Sequence, residues 1–441
     1  IFAVPFGRDS LIAAMQMLPV NPRIALGTLR TMAASQGTKV DPWRDEEPGK
    51  IMHEMRYGEL ANTGQIPFNP YYGSIDSTPL FLVLLAEYVA WTGHLDVMRE
   101  LMPNVEAALE WIDRYGDVDG DGFVEYQQKA DGGLSNQGWK DSADSVLHED
   151  GEFGTPPIAL VEVQGYVYQA KKNLAPLMRR LGRADTADRL EAEAAELKKR
   201  INEAFWMEDL GTFALALDGR KKQIRAVTSN PGHLLMTGAV EGERAARLAA
   251  KLVSPEMFSG YGIRTMGTRS VGYNPMSYHN GSVWPHDNAI CLLGMSRMGF
   301  LAEAGKVMEG LLAAAAQFEY CRLPELFCGY SRESGPVIPY PVACSPQAWA
   351  AGTAAKMLQA MLGIAPDAPA GEIRLNPVLT PGMSFLEARN ISVGNGHLSV
   401  RVRRTNGTKK SGDENGIGGF AWEVLANTTG CRVLAAQSVS S

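Results

Sequence analysis

Helical segments follow one another in pairs along most of this chain, and the loops between them are alternately short and long. Apolar residues three and four apart mark each segment. The first, over 7–19, carries Leu11, Ile12, Met15 and Leu18 at that spacing, and Asn21-Pro22 supplies a cap and a first-turn proline for a second helix to about Ser35. Further helices are predicted over 77–92, 95–115, 156–181, 184–206, 230–240, 241–253, 284–298, 301–318 and 345–362, eleven in all. So regular a series packs helix on helix. Hairpins whose long loops gather at one end close into an α/α toroid, here one all-α domain over 1–365. Beyond it the period changes. Residues 372–403 alternate, as in His397-Leu-Ser-Val-Arg-Val-Arg, and 420–434 read as one or two more strands around a polar loop at 405–419. The remaining 366–441 therefore form a small β-rich appendage.

The long loops are where chemistry is expected. The first, over 39–67, holds His53-Glu54-Met55-Arg56. The loop 116–150 opens with Asp117, Asp119, Asp121 and Gly122, like the start of a calcium loop, but Gln128 stands where the bidentate Glu belongs, so a rigid Asp/Gly turn is expected. It continues into Gly133–Ser145, with an indole at Trp139 and carboxylates at Asp141 and Asp144. An aromatic offers a flat face to a pyranose, and a carboxylic acid beside it can donate a proton. The competing reading of such a stretch is a turn whose Asp and Ser side chains cap the next segment. Far downstream a third long loop carries Arg322-Leu-Pro-Glu325-Leu-Phe, among aromatic residues Phe327, Tyr330 and Tyr340.

Composition excludes several partners. The net charge is −7, with no basic block, which argues against nucleic acid and against an anionic membrane surface. No apolar run reaches bilayer length. The five cysteines are odd in number and form no metal-ligand pattern, so they read as reduced thiols of a cytoplasmic protein, and no metal or cofactor is expected. The chain opens Ile1-Phe-Ala-Val-Pro, without Met and without a signal-peptide pattern, which reads as a fragment of a longer chain or a truncated gene model.

Five motifs taken together resemble the amylo-α-1,6-glucosidase part of glycogen debranching enzymes: Phe6-Gly-Arg-Asp-Ser-Leu-Ile, Tyr72-Gly-Ser-Ile-Asp-Ser-Thr-Pro, Gly138-Trp-Lys-Asp-Ser, His279-Asn-Gly-Ser-Val-Trp-Pro-His-Asp-Asn and Leu323-Pro-Glu-Leu. The resemblance runs from Phe6 to about Leu362. It implies an (α/α)6 barrel and an inverting, exo-acting glycoside hydrolase that removes terminal α-linked glucose from glycogen-type branches. Related families with this barrel hydrolyse trehalose and mannosylglycerate, and those substrates stay open. By the resemblance Asp141 matches the proton donor and Glu325 the base. Inverting hydrolysis needs such a pair roughly 6.5–9.5 Å apart, one carboxyl protonated and one ionised, with a water between base and sugar. Desolvation by Trp139 would raise the Asp141 pKa as an acid requires. Arg8 and Asp9 offer a donor fork and an acceptor for vicinal hydroxyls, against the alternative of a helix start with an acid in its first turn. Lys140, His279, Trp284, His286 and Asp287 are further candidate sugar contacts. Asp76 and Glu54 are weaker ones, an ion pair to Arg8 or Arg56 being the alternative, and Trp349 reads as core.

Two rivals remain. A sugar epimerase on the same toroid would use His279 and His286 as proton shuttles, and a non-catalytic fragment would bind glucan only. The resemblance also implies that an outer helix, and before it a β-sandwich domain, precede Ile1 in the full-length chain. A twelve-helix ring short of that outer helix should leave Leu11, Met15, Met357 and Met361 partly uncovered.

Overall fold

The computed structural model describes residues 4–405, 415–417 and 419–436. Most of the polar loop predicted at 405–419, and the first three residues, lie outside that range.

The eleven helices sort themselves by composition into an inner and an outer layer. Helix Ser77–Thr92 is apolar almost all round and buries fourteen of its sixteen residues, so it can only stand inside. Pro285–Arg297 buries twelve of thirteen. Helix Gly242–Leu252, by contrast, buries only Ala245, Leu248, Ala249 and Leu252, a single i, i+3, i+4, i+7 stripe with solvated charge opposite, which makes it an outer helix. The inner layer is Gly7–Met17, Ser77–Thr92, Val161–Arg180, Gly232–Thr237, Pro285–Arg297 and Thr353–Leu362. Each packs on the next, and the last packs on the first, so the ring closes. Pro22–Ala34, Met102–Arg114, Ala184–Ala204, Gly242–Leu252 and Leu301–Ala315 make the outer layer. This is an (α/α)6 toroid with eleven ring helices among the described residues. Inner helices approach closely where side chains are small. A Cβ on Gly294 would stand 2.4 Å from the Met236 backbone nitrogen of the neighbouring helix.

Two predicted helices are broken in the structure. The one over 95–115 divides into Leu95–Glu100 and Met102–Arg114, because Pro103 starts a new first turn. The one over 345–362 begins later, as Ala348–Ala351 followed by Thr353–Leu362.

The expected uncovered seam is not found. Leu11, Met15, Met357 and Met361 are at most 9% exposed. The first and last inner helices are drawn together by the Gln16 amide, which donates to the Trp349 carbonyl at 2.9 Å, and by the Gln359 amide, which donates to the Gln16 carbonyl at 3.2 Å. The exposed positions on the last helical stretch are small, Ala351 and Ala354 among them.

The C-terminal strands form a four-stranded antiparallel sheet in the order Asn415–Ile417, Phe420–Asn427, Gly396–Arg404, Phe385–Val393, and a three-stranded sheet in which Arg432–Ala435 runs parallel to Glu372–Leu375. Ile391, Val393, Leu398 and Val400 join the same apolar core as the ring. The Ser392 and Gly394 amides donate to the Pro19 and Trp91 carbonyls, at the C-terminal ends of two inner helices. This sheet thus covers one end of the barrel, opposite the ends from which the inner helices start.

Candidate active site

At the uncovered end, the N-terminal turns of the inner helices and the long loops enclose a cavity of about 560 Å³. Helix Gly7–Met17 brings Arg8 and Asp9 to it. The Gly7 amide donates to the His53 carbonyl at 2.7 Å, and a Cβ on Gly7 would meet the Met52 oxygen at 2.0 Å, so only glycine lets the 50–56 strap cross this helix start. Arg8 Nη1 lies 3.0 Å from both oxygens of Asp76, and its Nη2 lies 3.2 Å from Asp141 Oδ2. Asp76 is fully buried, and Ser74 Oγ donates to it at 2.7 Å. Asp76 therefore orients Arg8 from behind, and Glu54 accepts from Arg56 at 2.6 Å; both weaker candidates are ion-pair partners.

Asp141 stands on a loop pinned on either side. Lys140 points inward, away from the cavity, and donates to the Thr265 carbonyl at 2.6 Å. Ser142 Oγ lies 2.7 Å from His279 Nδ1. Burial raises the Asp141 carboxyl to about 6, with Arg8 pulling it down and Asp76 pushing it further up. Burial likewise raises Asp9 to about 7, against the pull of Arg8 and with the push of Asp141. Asp9 Oδ1 accepts from the Gln347 amide at 3.3 Å.

Glu325 is held differently. Its backbone amide donates to the Cys344 carbonyl at 3.0 Å, and its side chain is a double acceptor, from Tyr278 Oη at 2.7 Å and from the Cys344 amide at 3.0 Å. Asp141 and Glu325, from loops far apart in sequence, line the same cavity.

The wall between them is aromatic. Trp139, Trp284 and Trp349 line it, with Trp139 edge-on to Trp284 at 5.7 Å. Tyr278 packs edge-on to Trp284 at 4.9 Å, and His279 stacks on Trp284 at 5.1 Å. His53 and His279, which also line the cavity, are pushed well below the ordinary imidazole range by burial, with nearby Arg and Lys charge adding to it, so both are neutral near pH 7.

Of the residues predicted from sequence, Arg8, Asp9, Trp139, Asp141, His279, Trp284 and Glu325 come together at the cavity, and Asp76, Lys140, His286 and Asp287 stand behind its wall. His286 stacks on the far side of Trp349 at 3.7 Å with both ring nitrogens unpartnered and buried. Asp287 accepts from His233 Nε2 at 2.8 Å, and Lys140 is lowered to about 8 by burial, opposed by Asp287 and Glu162. Trp349, read as core, is both buried and part of the wall. Tyr278 and Gln347 were not singled out. The first is adjacent to His279 in a polar loop, a usable signal; the second touches Asp9 across the whole ring and leaves none.

Among the described residues, two groups have the residue types for a metal. His233, Asp287 and Cys291 bring ligand atoms within 4.8 Å of one another, as do Asp117, Asp119, Asp121 and Glu125. In the first, His233 is already bonded to Asp287 and to the Tyr166 hydroxyl at 2.6 Å. In the second, Asp117 accepts from the amides of Gly120, Asp121 and Gly122, the rigid turn expected, and the Lys221 ammonium lies 2.7 Å from Asp119, 2.8 Å from Asp121 and against Glu125. A side-chain cation thus occupies the centre of the acidic group.

Residues 7–328 match the family model described as the mannosylglycerate hydrolase MGH1-like glycoside hydrolase domain. A mannosylglycerate hydrolase of Rubrobacter radiotolerans is 27% identical over 149 residues, a match covering 33% of this chain and 33% of that protein. Among solved structures, a GH63 mannosylglycerate hydrolase from Thermus thermophilus, in complex with Tris and D-glycerate, aligns with TM-score 0.61 at 14% identity over 81% of this chain and 94% of that one. A GH78 rhamnosidase of Bacillus sp. GL1 aligns with TM-score 0.61 at 16% identity over 92% of this chain and 37% of that one. These matches support a six-hairpin glycosidase; they do not carry the narrower resemblance to amylo-α-1,6-glucosidases.

Proposed function

The chain belongs to the mannosylglycerate hydrolase MGH1-like glycoside hydrolase family, and from that premise we propose that it is an inverting, exo-acting hydrolase of a small α-glycoside. The observation that carries the reading is the pair of carboxyl groups in one cavity with opposite settings. Asp141 is desolvated and raised to about 6, so it holds a proton in mildly acidic solution, whereas Glu325 faces two donors and is set to accept. In the reaction Asp141 gives its proton to the glycosidic oxygen as the C1–oxygen bond breaks. A water attacks C1 from the opposite face and gives its proton to Glu325. Trp139, covered by Lys140 and His233, bounds the sugar's space as part of the aromatic wall, and Asp9 and His53 take the sugar's hydroxyls beside the Arg8 guanidinium, which Asp76 and Asp141 hold in place.

A compact substrate fits better than a glycogen branch. About 560 Å³ is within the usual range for a small-molecule site, and the family and its named relatives point to a glycosylglycerate-sized aglycone. The glycosidase reading is favoured over an epimerase because His286 is shut behind Trp349 and cannot share a substrate with His279. We assign the chemistry to residues 1–365 and take 366–441 as the appendage on the barrel's far end. A cytoplasmic location accords with the unpaired cysteines; among the described residues no helix is long and apolar enough to cross a membrane.

The test is turnover of α-mannosyl and α-glucosyl substrates by the wild type, Asp141→Asn and Glu325→Gln. Each substitution should lower kcat by roughly 10²–10⁴-fold with binding largely kept. Near-normal turnover in both variants removes the pair from the mechanism and leaves a binding protein as the better reading.

A further inference from the structure

We propose that the adjacent pair Tyr278-His279 is a clamp that sets the spacing of the two carboxyl groups, and that His279 acts in it as a positioning residue for the acid, through Ser142. The inference rests on the glycosidase reading above and deepens it, by naming what holds the acid loop at its distance from the base.

The acid loop needs such a hold. Asp141 lies in a stretch without helix or strand, and the contact with Arg8 fixes only its carboxyl tip. The next residue, Ser142, places its hydroxyl 2.7 Å from His279 Nδ1 and donates its amide to the same nitrogen at 3.4 Å. A nitrogen that accepts from an amide carries the lone pair, so the hydroxyl is a donor as well and the ring proton sits on Nε2. That tautomer requires a neutral ring, and burial, with the charges of Lys140 and Arg8, holds the His279 imidazole well below its ordinary range. Beside it in sequence, Tyr278 Oη donates to Glu325 Oε1 at 2.7 Å. Burial and then Glu325 push that phenol up, so it keeps its proton.

The pair itself is fixed in place. The Tyr278 carbonyl accepts from Trp284 Nε1 at 2.8 Å and from Ser282 Oγ at 2.7 Å, and His279 stacks on the Trp284 indole. On the acid side, Asn280 Nδ2 donates to the Asp144 carbonyl at 2.8 Å. On the base side, Val283 and Phe327 exchange backbone hydrogen bonds at 2.9 and 3.0 Å. Two side chains on covalent neighbours, with α-carbons about 3.8 Å apart, therefore reach one to each catalytic loop. An inverting site has to keep a gap that admits one water, and a misplacement of about 1 Å costs about 100-fold in rate.

The experiment compares kcat on two substrates of the same sugar, mannose and glucose both tried. One is the fastest of a set of alkyl α-glycosides, glycerate-linked ones included, whose leaving oxygen needs the acid's proton. The other is the α-glycosyl fluoride, whose leaving group needs little protonation; both need the base to activate water. Ser142→Ala and His279→Gln, which lose the bond at Nδ1, should lower the glycoside-to-fluoride ratio by about tenfold or more, with KM for the glycoside little changed. His279→Asn, whose side-chain oxygen takes the place of Nδ1, should recover most of that ratio. Tyr278→Phe should lower both rates together. Thermal unfolding of each variant checks the fold, and half-buried Ser142 supplies the mildest one. A ratio unmoved in Ser142→Ala and His279→Gln overturns the inference. So does recovery by Gln and not by Asn, because Gln restores a donor near Nε2, where a sugar contact would need it. Fluoride turnover without glycoside turnover in the wild type also overturns it, since the clamp holds a working acid. Wild-type turnover of neither substrate overturns the glycosidase reading instead.

Discussion

Replacing Asp141 by Asn separates catalysis from stability, and the two should move in opposite directions. The substitution keeps shape and an oxygen that can accept from Arg8 Nη2, but removes the proton. Turnover should fall by roughly 10²–10⁴-fold. In the wild type the acid works only while protonated, so kcat/KM should decline above about pH 6, where the folded-state carboxyl titrates, by about tenfold per unit. Stability follows from the same shift. The folded pKa of about 6 lies above the ordinary 3.8, so the folded state binds this proton more tightly than the unfolded one. That contribution is fully present below about pH 4 and is lost as pH rises through about 6. One unit is worth about 1.4 kcal/mol, so the upper bound, with the pull of Arg8 already in it, is about 3 kcal/mol; the side chain's 30% exposure discounts the expected gain of Asp141→Asn at pH 7.5 to about 1 kcal/mol. Thermal or urea unfolding of both proteins between pH 4 and pH 8 reads this directly. Asp9 and Glu125, both raised to about 7, keep their own share of the same slope in the variant. A variant clearly less stable than the wild type at pH 7.5, or one that keeps the wild-type alkaline limb, would refute the assignment of Asp141 as a desolvated acid.

Tyr278→Phe removes one of the two donors to Glu325; a hydrogen bond to a charged group is worth about 1.5–3 kcal/mol, so kcat should fall by about tenfold or more with KM little changed, as steady-state kinetics will show. Lys221→Ala leaves Asp119, Asp121 and Glu125 facing one another without their shared cation, and with the site partly exposed the expected loss is about 2 kcal/mol in urea unfolding at pH 8, shrinking toward pH 5 as Glu125 takes up a proton. Gly294→Ala forces apart helices Pro285–Arg297 and Gly232–Thr237, at a loss of about 1–3 kcal/mol by the same assay.

What the sequence made legible was mostly what is encoded locally. Ser77–Thr92 was read to the residue because Ser-Thr-Pro opens it and Gly93, left-handed at φ 77°, closes it. The break at Leu101 had its signal too, in Pro103, overridden by a continuous apolar period. The failures at the site are geometric. His286 and Asp287 share a motif with Trp284, but Trp284 has the extended backbone of a helix cap and lines the cavity, whereas His286 and Asp287 lie in the first turn, His286 against Trp349 and Asp287 bonded to His233, behind the wall. Lys140 follows Trp139 and precedes Asp141, and pinning the loop requires it to point the other way. Asp76 and Glu54 show the limit of residue type alone, since a sugar ligand and an ion-pair partner look identical until Arg8 and Arg56 are located. Gln347 reaches Asp9 across 338 residues, a contact that only ring closure creates.

The central claim is that Asp141 and Glu325 act on opposite faces of the sugar, one on the leaving oxygen and one through water. The measurement that tests it most directly is proton NMR of the anomeric signals during the first minutes of hydrolysis of an α-glycoside, before mutarotation equilibrates them. The account predicts that the β-anomer of the free sugar appears first and the α-anomer only later. Initial release of the α-anomer would mean retention, with a carboxylate attacking C1 itself, and would contradict the assignment of Glu325 as the base that activates water.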